Sequence, residues 1–142
     1  MRTNRYIPYR GVSPAQVLYV EKRLLEKEFD FLSVKVSGST LYAKGFCQPS
    51  AYSITYEYKL KFSPGGRPKV YPVQPQIVYN DNIHMYSKDN SLCLYYPKDY
   101  SFTSCSHLFN TIIPWTHEWF LYYELYVLKG QWLHPYVDHK KI

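Results

Sequence analysis

The chain has 142 residues, a length typical of one domain with a single hydrophobic core, so we expect one domain over residues 1–142. Its formal net charge is +6, but the lysines and arginines are scattered, which argues against a nucleic-acid-binding surface. No apolar secretory signal begins the chain, and its most apolar window, Trp119 to Leu128, contains Glu124 and is too short to cross a bilayer. We therefore expect a cytoplasmic protein with no nucleic-acid and no membrane partner.

The cysteine pattern predicts free thiols. Cys47, Cys93 and Cys105 cannot all pair with one another, and no C-x-x-C spacing is present. His134 and His139 also lack the spacing of metal ligands. We expect neither a metal site nor a cofactor.

The first predicted element is an amphipathic helix. Ser13 is a suitable N-cap, and Pro14 suits the first helical position. Apolar residues then recur at helical spacing: Val17, Leu18, Leu24, Leu25, Phe29 and Leu32. Charged residues, Glu21 among them, are expected mainly on the other side of the helix.

After this helix the apolar pattern changes to a period of two. Ser33 to Ser37, Thr40 to Phe46 and Ser53 to Phe62 are predicted strands, rich in Val, Ile, Tyr and Thr. The turn residues from Ser63 to Pro68 separate them from a short fourth strand, Lys69 to Val73, whose prolines suit a sheet edge. Short connections between successive strands predict an antiparallel meander.

The remaining chain is a long loop followed by a second helix. Gln76 to Trp115 has few periodic signals, and a loop of this length in a compact domain is usually functional. A helix is predicted to start at Thr116 or His117 and to end at Gly130. Its expected apolar face consists of Trp119, Phe120, Tyr123 and Val127. Together with Trp132, these aromatic residues are interpreted as packing residues.

One cysteine lies in a distinctive setting within the long loop. Cys93 follows small polar residues and is flanked by Leu92 and Leu94, which would anchor the segment. Strand alternation would then turn the thiol away from both leucines, to a partly exposed edge where a nucleophile can meet a second macromolecule. The alternative is that Cys93 is a small buried hydrophobic residue. Cys47 and Cys105 lack this frame and are interpreted as structural.

The order of these elements resembles the α+β fold of ubiquitin-conjugating enzymes: an N-terminal helix, a four-stranded antiparallel meander, a long active-site loop with a cysteine, and a C-terminal helix. The chain is more closely similar to the bacterial ubiquitin-conjugating-enzyme-like proteins of cyclic-oligonucleotide-based antiphage signalling (CBASS) operons. The segments that carry the resemblance are 45–50, 52–62, 68–75, 84–86, 91–97, 123–126 and 130–132, with His139.

The resemblance implies an acyl transferase in which Cys93 accepts the C-terminal acyl group of a partner protein as a thioester. The implied partner is a cGAS/DncV-like nucleotidyltransferase, the cyclic-oligonucleotide synthase of such operons, joined through its C-terminal tail. The chain has no Gly-rich phosphate loop, so activation of the carboxylate would fall to a separate activating enzyme, unless the acyl group is already activated or labile.

The resemblance also assigns supporting roles. His84 corresponds to the histidine of the His-Pro-Asn motif and is expected to order the loop, but Met85 and Tyr86 replace Pro and Asn. Asn90 and backbone N–H groups near Cys93 are the candidates to replace the missing amide.

A proton acceptor for an attacking amine is also needed. His107 is one candidate, and Asp89 and Asp99 are the others. The alternative function is a catalytically inactive binding module on the same fold, which scaffolds the synthase or another partner.

Overall fold

The computed structural model describes residues 12–95, 102–103 and 106–133. Within them lie two α-helices, four strands and one turn of 3₁₀ helix. The elements are α1 (Pro14–Glu28), β1 (Ser33–Ser37), β2 (Thr40–Cys47), β3 (Tyr56–Phe62), β4 (Lys69–Gln74), the 3₁₀ turn (Leu108–Asn110) and α2 (Ile112–Lys129). This order confirms the predicted α+β class with an N-terminal helix, four antiparallel strands and a C-terminal helix.

Helix α1 begins as predicted. The Ser13 hydroxyl accepts the backbone N–H of Gln16 at 3.2 Å, the Gln16 side chain accepts the Ser13 N–H at 2.9 Å, and Pro14 occupies the first turn. Val17 and Leu25 are buried, but so is Glu21, whose side chain is 1% exposed. The prediction that Glu21 lies on the solvent side is therefore wrong.

The four strands form one antiparallel sheet in the order β1-β2-β3-β4, which confirms the meander. Alternate residues of β3 are buried: Tyr56, Tyr58, Leu60 and Phe62. β3 starts at Tyr56 rather than Ser53, because the Ser53 N–H donates to the Ser50 carbonyl in a turn. Gly45 on β2 is needed for packing, since a Cβ there would lie 2.6 Å from the Tyr58 ring.

Helix α2 packs its aromatic residues against the sheet and against one another. The Phe120 ring stacks on Tyr56 of β3 at 4.8 Å, and Trp119 stacks on Tyr123 at 5.4 Å, as expected of packing residues. Val127 is 62% exposed, so its predicted place on the apolar face is wrong.

The ends of α2 differ in how well the sequence predicts them. The helix begins at Ile112, before the predicted start, and Pro114 fits its first turn because no i−4 carbonyl partner is available there. It ends as predicted at Gly130, which has a φ of 77° and donates its N–H to the Tyr126 carbonyl at 2.7 Å.

In the part of the chain that the structure describes, none of the helices combines the length and the hydropathy needed to cross a membrane.

Candidate functional site

Cys93 lies at the end of a short hairpin, residues 84–93, which we call the cysteine hairpin. Met85 pairs with Leu92 in an antiparallel bridge. The Tyr86 N–H donates to the Ser91 carbonyl at 2.9 Å, and the Cys93 N–H donates to the His84 carbonyl at 3.0 Å. The Leu92 N–H donates to the Val70 carbonyl at 2.8 Å, which attaches the hairpin to β4.

Asn90 shapes the turn of this hairpin. Its φ is 60°, a left-handed conformation that asparagine adopts more readily than most residues, and its N–H donates to the Tyr86 carbonyl at 3.0 Å. The side-chain oxygen accepts the Tyr79 N–H at 3.1 Å. These contacts join two loop segments and direct the amide oxygen to Tyr79, so they give no support to Asn90 as the replacement for the missing amide.

Asp89 is occupied by hydrogen bonds within the same turn. Its carboxylate accepts the backbone N–H and the hydroxyl of Ser91 at 3.0 and 2.7 Å, and it pairs with the Lys69 ammonium at 3.0 Å. Partial burial acts to raise the pKa of Asp89, but the bonds from Ser91 and Lys69 outweigh it and lower that pKa. A carboxylate with a lowered pKa is a weak proton acceptor.

His84 contacts helix α2 and the segment that follows it. The Trp119 indole N–H donates to the His84 carbonyl at 2.7 Å, and the His84 ring stacks on Trp132 with its centroid 6.4 Å away. Contacts of this kind order a loop. They also position the backbone of Cys93, because the Trp119 indole N–H and the Cys93 backbone N–H both donate to the His84 carbonyl oxygen.

The thiol of Cys93 is buried, with 4% of the residue exposed. The prediction that the thiol lies at a partly exposed edge is therefore wrong, and the burial agrees with the alternative of a small buried residue. The sulfur lies 3.6 Å from the Tyr86 hydroxyl oxygen and 3.6 Å from the Tyr95 carbonyl oxygen. Cys93 follows a single bridge rather than lying inside a long strand, so strand alternation does not determine where its side chain points.

Two opposing effects act on the ionisation of this thiol. Burial raises the pKa of Cys93, while the hydrogen bond with Tyr86 and the positive charge of Arg67 act to lower it, and burial is the stronger. The Arg67 guanidinium lies over the Tyr86 ring, 4.6 Å from its centroid. In the sequence, Tyr86 stands out only as a departure from the motif, because its contact with the sulfur depends on the hairpin register.

A small surface pocket adjoins this group of residues. Its lining includes Arg67, Lys69, Tyr86, Leu92 and Tyr95. Two of these, Tyr86 and Tyr95, contact the Cys93 sulfur directly. The thiol is thus separated from the pocket by a single layer of residues.

Cys47 has a different environment. It lies on β2 with 3% of the residue exposed, in agreement with its interpretation as a structural cysteine. Burial, with a further contribution from the negative charge of Glu124, raises the pKa of Cys47 to about 12. A thiol in this setting is a poor nucleophile at neutral pH.

His107 is attached to the first helix. Its Nδ1 lies 2.7 Å from the Glu21 carboxylate, which also accepts the Leu108 N–H at 2.9 Å. The buried Glu21 thus anchors the start of the 3₁₀ turn, a role that sequence reasoning missed. These contacts give no support to His107 as a proton acceptor beside Cys93.

Four other residues singled out in the sequence, Asp99, Cys105, His134 and His139, lie outside the described residues. Within the described ranges, no group of three or more His, Cys, Asp and Glu side chains could hold a metal ion.

The helix, the four-stranded meander, the irregular segment with a cysteine and the second helix follow one another as expected of a ubiquitin-conjugating-enzyme-like protein. A family model described as Type II CBASS E2 protein matches residues 21–140, which is most of the chain. The chain belongs to this family, and so to the E2-like proteins of CBASS antiviral defence. No curated protein matches the chain.

Proposed function

We propose that this protein is a conjugating-type acyl carrier that uses Cys93 to accept the C-terminal acyl group of a CBASS partner protein. The partner is the cyclic-oligonucleotide synthase, a cGAS/DncV-like nucleotidyltransferase, and its modification regulates antiphage signalling. The acyl group arrives already activated, as a thioester or acyl adenylate made by a separate activating enzyme.

The chemistry has two steps. In loading, the Cys93 thiolate attacks the activated carbonyl carbon, the bond to the leaving group breaks and a thioester forms. In transfer, the nitrogen of an amine attacks the thioester, the amine loses a proton, and the Cys93 thiolate leaves as the amide forms. Of the three candidate proton acceptors for the amine, Asp89 has a lowered pKa and His107 contacts Glu21, which leaves Asp99, solvent or the partner for this role.

The observation that carries the proposal is the contrast between the two described cysteines. Cys47 is inside the sheet, where burial and a nearby carboxylate both oppose ionisation. Cys93 lies beside a surface pocket, with a hydroxyl within hydrogen-bond distance and a guanidinium close by. Since Cys93 is 4% exposed, loading requires the residues that cover the sulfur to open a path for the acyl group.

The test is to trap the acyl group. In cells that express the whole operon, the wild-type protein should carry an adduct that dithiothreitol removes, because thiols cleave thioesters. Cys93→Ser should carry an ester that resists dithiothreitol, and Cys47→Ser should behave like the wild type. Intact-mass measurement of each purified protein distinguishes these states. Absence of any Cys93-dependent adduct would overturn the proposal.

The burial of Cys93 favours a second candidate, an inactive binding module that holds the synthase or another partner without chemistry. Iodoacetamide treatment of the native protein at neutral pH, with the modified sites mapped by mass spectrometry, separates the two functions. Faster modification of Cys93 than of Cys47 supports the acyl carrier. Equally slow modification of both supports the binding module.

A further inference from the structure

Three groups form a chain from the surface pocket to the sulfur. The Arg67 guanidinium nitrogen lies 3.5 Å from the Tyr86 hydroxyl oxygen, and that oxygen lies 3.6 Å from the Cys93 sulfur. The guanidinium also lies over the Tyr86 ring at 4.6 Å. Arg67 is exposed and Tyr86 is half-buried, so the chain connects solvent with a buried thiol.

The donors and acceptors of these three groups determine the direction of the hydrogen bonds between them. A guanidinium has only donors, so Arg67 must donate to the Tyr86 oxygen and cannot accept the single phenol proton. A neutral thiol can donate its S–H to the Tyr86 oxygen. Once the thiol has lost its proton to water, the sulfur is an acceptor, and the phenol O–H can rotate to donate to it.

We propose that Tyr86 is the hydrogen-bond donor to the Cys93 thiolate and that Arg67 is the positioning residue that holds the Tyr86 ring and directs its proton to the sulfur. Tyr86 occupies the position of the motif asparagine, and in this proposal it supplies a hydrogen-bond donor to the same site. This assignment rests on the proposed function for its biological role, but its effect on the thiol is measurable without any partner.

Two features of the geometry support this assignment. The hairpin fixes the Tyr86 backbone on both sides, because its N–H donates to the Ser91 carbonyl and its carbonyl accepts the Asn90 N–H. The ring is then fixed from its face by Arg67. A donor held in this way needs only to rotate its O–H toward the thiolate, while its ring stays in place.

The experiment measures the rate at which iodoacetamide modifies Cys93 as a function of pH, followed on the Cys93 peptide by mass spectrometry. In Tyr86→Phe the rate near neutral pH should fall about tenfold and the midpoint of the profile should move to higher pH, because the thiolate loses its donor. The plateau rate at high pH should stay the same or rise, since the thiolate fraction no longer limits it.

Arg67 is tested in the same assay. Arg67→Gln should move the midpoint in the same direction. Arg67→Lys should show a smaller shift than Arg67→Gln, because lysine keeps the positive charge but lacks the planar group that stacks on the ring. The matched control is Arg23→Gln, because Arg23 lies over the Tyr19 ring at 5.9 Å on helix α1, and its profile should match the wild type.

If Tyr86 only covers the thiol, Tyr86→Phe will leave the midpoint in place or raise the rate at every pH, and the assignment is overturned. If the midpoint moves but the trapping experiment finds no Cys93 adduct, the assignment stands and the acyl-carrier function fails. Thermal unfolding of each variant verifies that the proteins compared are folded.

Discussion

The indole nitrogen of Trp119 donates a hydrogen bond of 2.7 Å to the backbone carbonyl oxygen of His84. The same oxygen accepts the N–H of Cys93 at 3.0 Å, while the Leu92 N–H donates to Val70 of β4. The cysteine hairpin is therefore attached to both helix α2 and the sheet. A thiol whose backbone is held from two elements keeps its position when side chains around it move.

Replacing Trp119 with Phe should loosen this attachment. Trp119→Phe keeps an aromatic ring but removes the N–H, so the His84 carbonyl loses this donor and keeps the Cys93 N–H. We expect the free energy of unfolding to fall by about 1 kcal/mol for the lost hydrogen bond, with a further loss for the smaller ring. Urea denaturation followed by circular dichroism measures this change.

Trp132→Phe is the control for ring size. The Trp132 ring centroid lies 5.4 Å from that of Trp119 and 6.4 Å from that of His84, and Trp132 is only partly buried. It should lose less stability than Trp119→Phe. An equal loss in the two variants would show that ring packing, rather than the hydrogen bond to His84, stabilises this region.

Glu21 should be among the polar residues most important for stability. Its buried carboxylate contacts His107 Nδ1 at 2.7 Å and accepts the Leu108 N–H at 2.9 Å. Glu21→Ala leaves both groups without this acceptor, so we expect a loss of about 3 kcal/mol in the free energy of unfolding. Urea denaturation of the variant provides the measurement.

The matched change on the same helix is Glu26→Ala. Glu26 pairs with Lys22 at 2.9 Å across one helical turn, and both side chains are partly exposed. Removing such a pair should change stability by no more than about 0.5 kcal/mol. A similar effect at both positions would contradict the anchoring role of Glu21.

On helix α1 the sequence predicts the helix correctly but places Glu21 on the wrong side, because the residue is buried. The cap at Ser13 and Pro14 and the apolar spacing correctly indicate the helix, because both are local signals. Residues 17, 21 and 25 are spaced four apart, so Glu21 lies on the apolar side, and that spacing could have revealed it. What the spacing cannot supply is the partner, since His107 is distant in sequence.

The site was less predictable than the fold. The meander follows from period-two segments with short turns between them, and these need no long-range information. The burial of Cys93 depends on the register of Met85 with Leu92 and on contacts from Tyr86 and Tyr95, all of which arise only when the loop folds against the sheet. For the same reason the contact between Tyr86 and the sulfur could not be read from the sequence.

Two substitutions of Asn90 test whether the hairpin turn requires a left-handed backbone conformation at this position. Asn90→Gly loses the bond to the Tyr79 N–H but accepts a φ of 60° without strain, whereas Asn90→Ala loses the bond and is strained. We expect Asn90→Ala to be less stable than Asn90→Gly by about 1 kcal/mol in urea denaturation. Equal stabilities would mean that the left-handed conformation is not required.

His117 should make stability depend on pH. Its Nε2 lies 2.8 Å from the Tyr58 hydroxyl and its ring lies 5.1 Å from the Phe31 ring, and burial lowers its pKa from the ordinary value of 6.5. The unfolded chain therefore binds a proton at a higher pH than the folded chain does. The stabilisation from neutral His117 is fully present above pH 6.5 and is lost as the pH falls from there toward the lower pKa of the folded state.

Urea denaturation at about pH 7.5 and about pH 5.5 measures this dependence on either side of the ordinary histidine pKa. The wild type should lose stability between the two conditions. His117→Gln, which cannot titrate but keeps a hydrogen-bonding group for Tyr58, should lose less. Comparing the two proteins cancels the contributions of the other titrating groups, because both carry them. If His117→Gln loses as much stability as the wild type, the buried imidazole is not the source of the pH dependence, and its protonation must be tolerated in the folded protein.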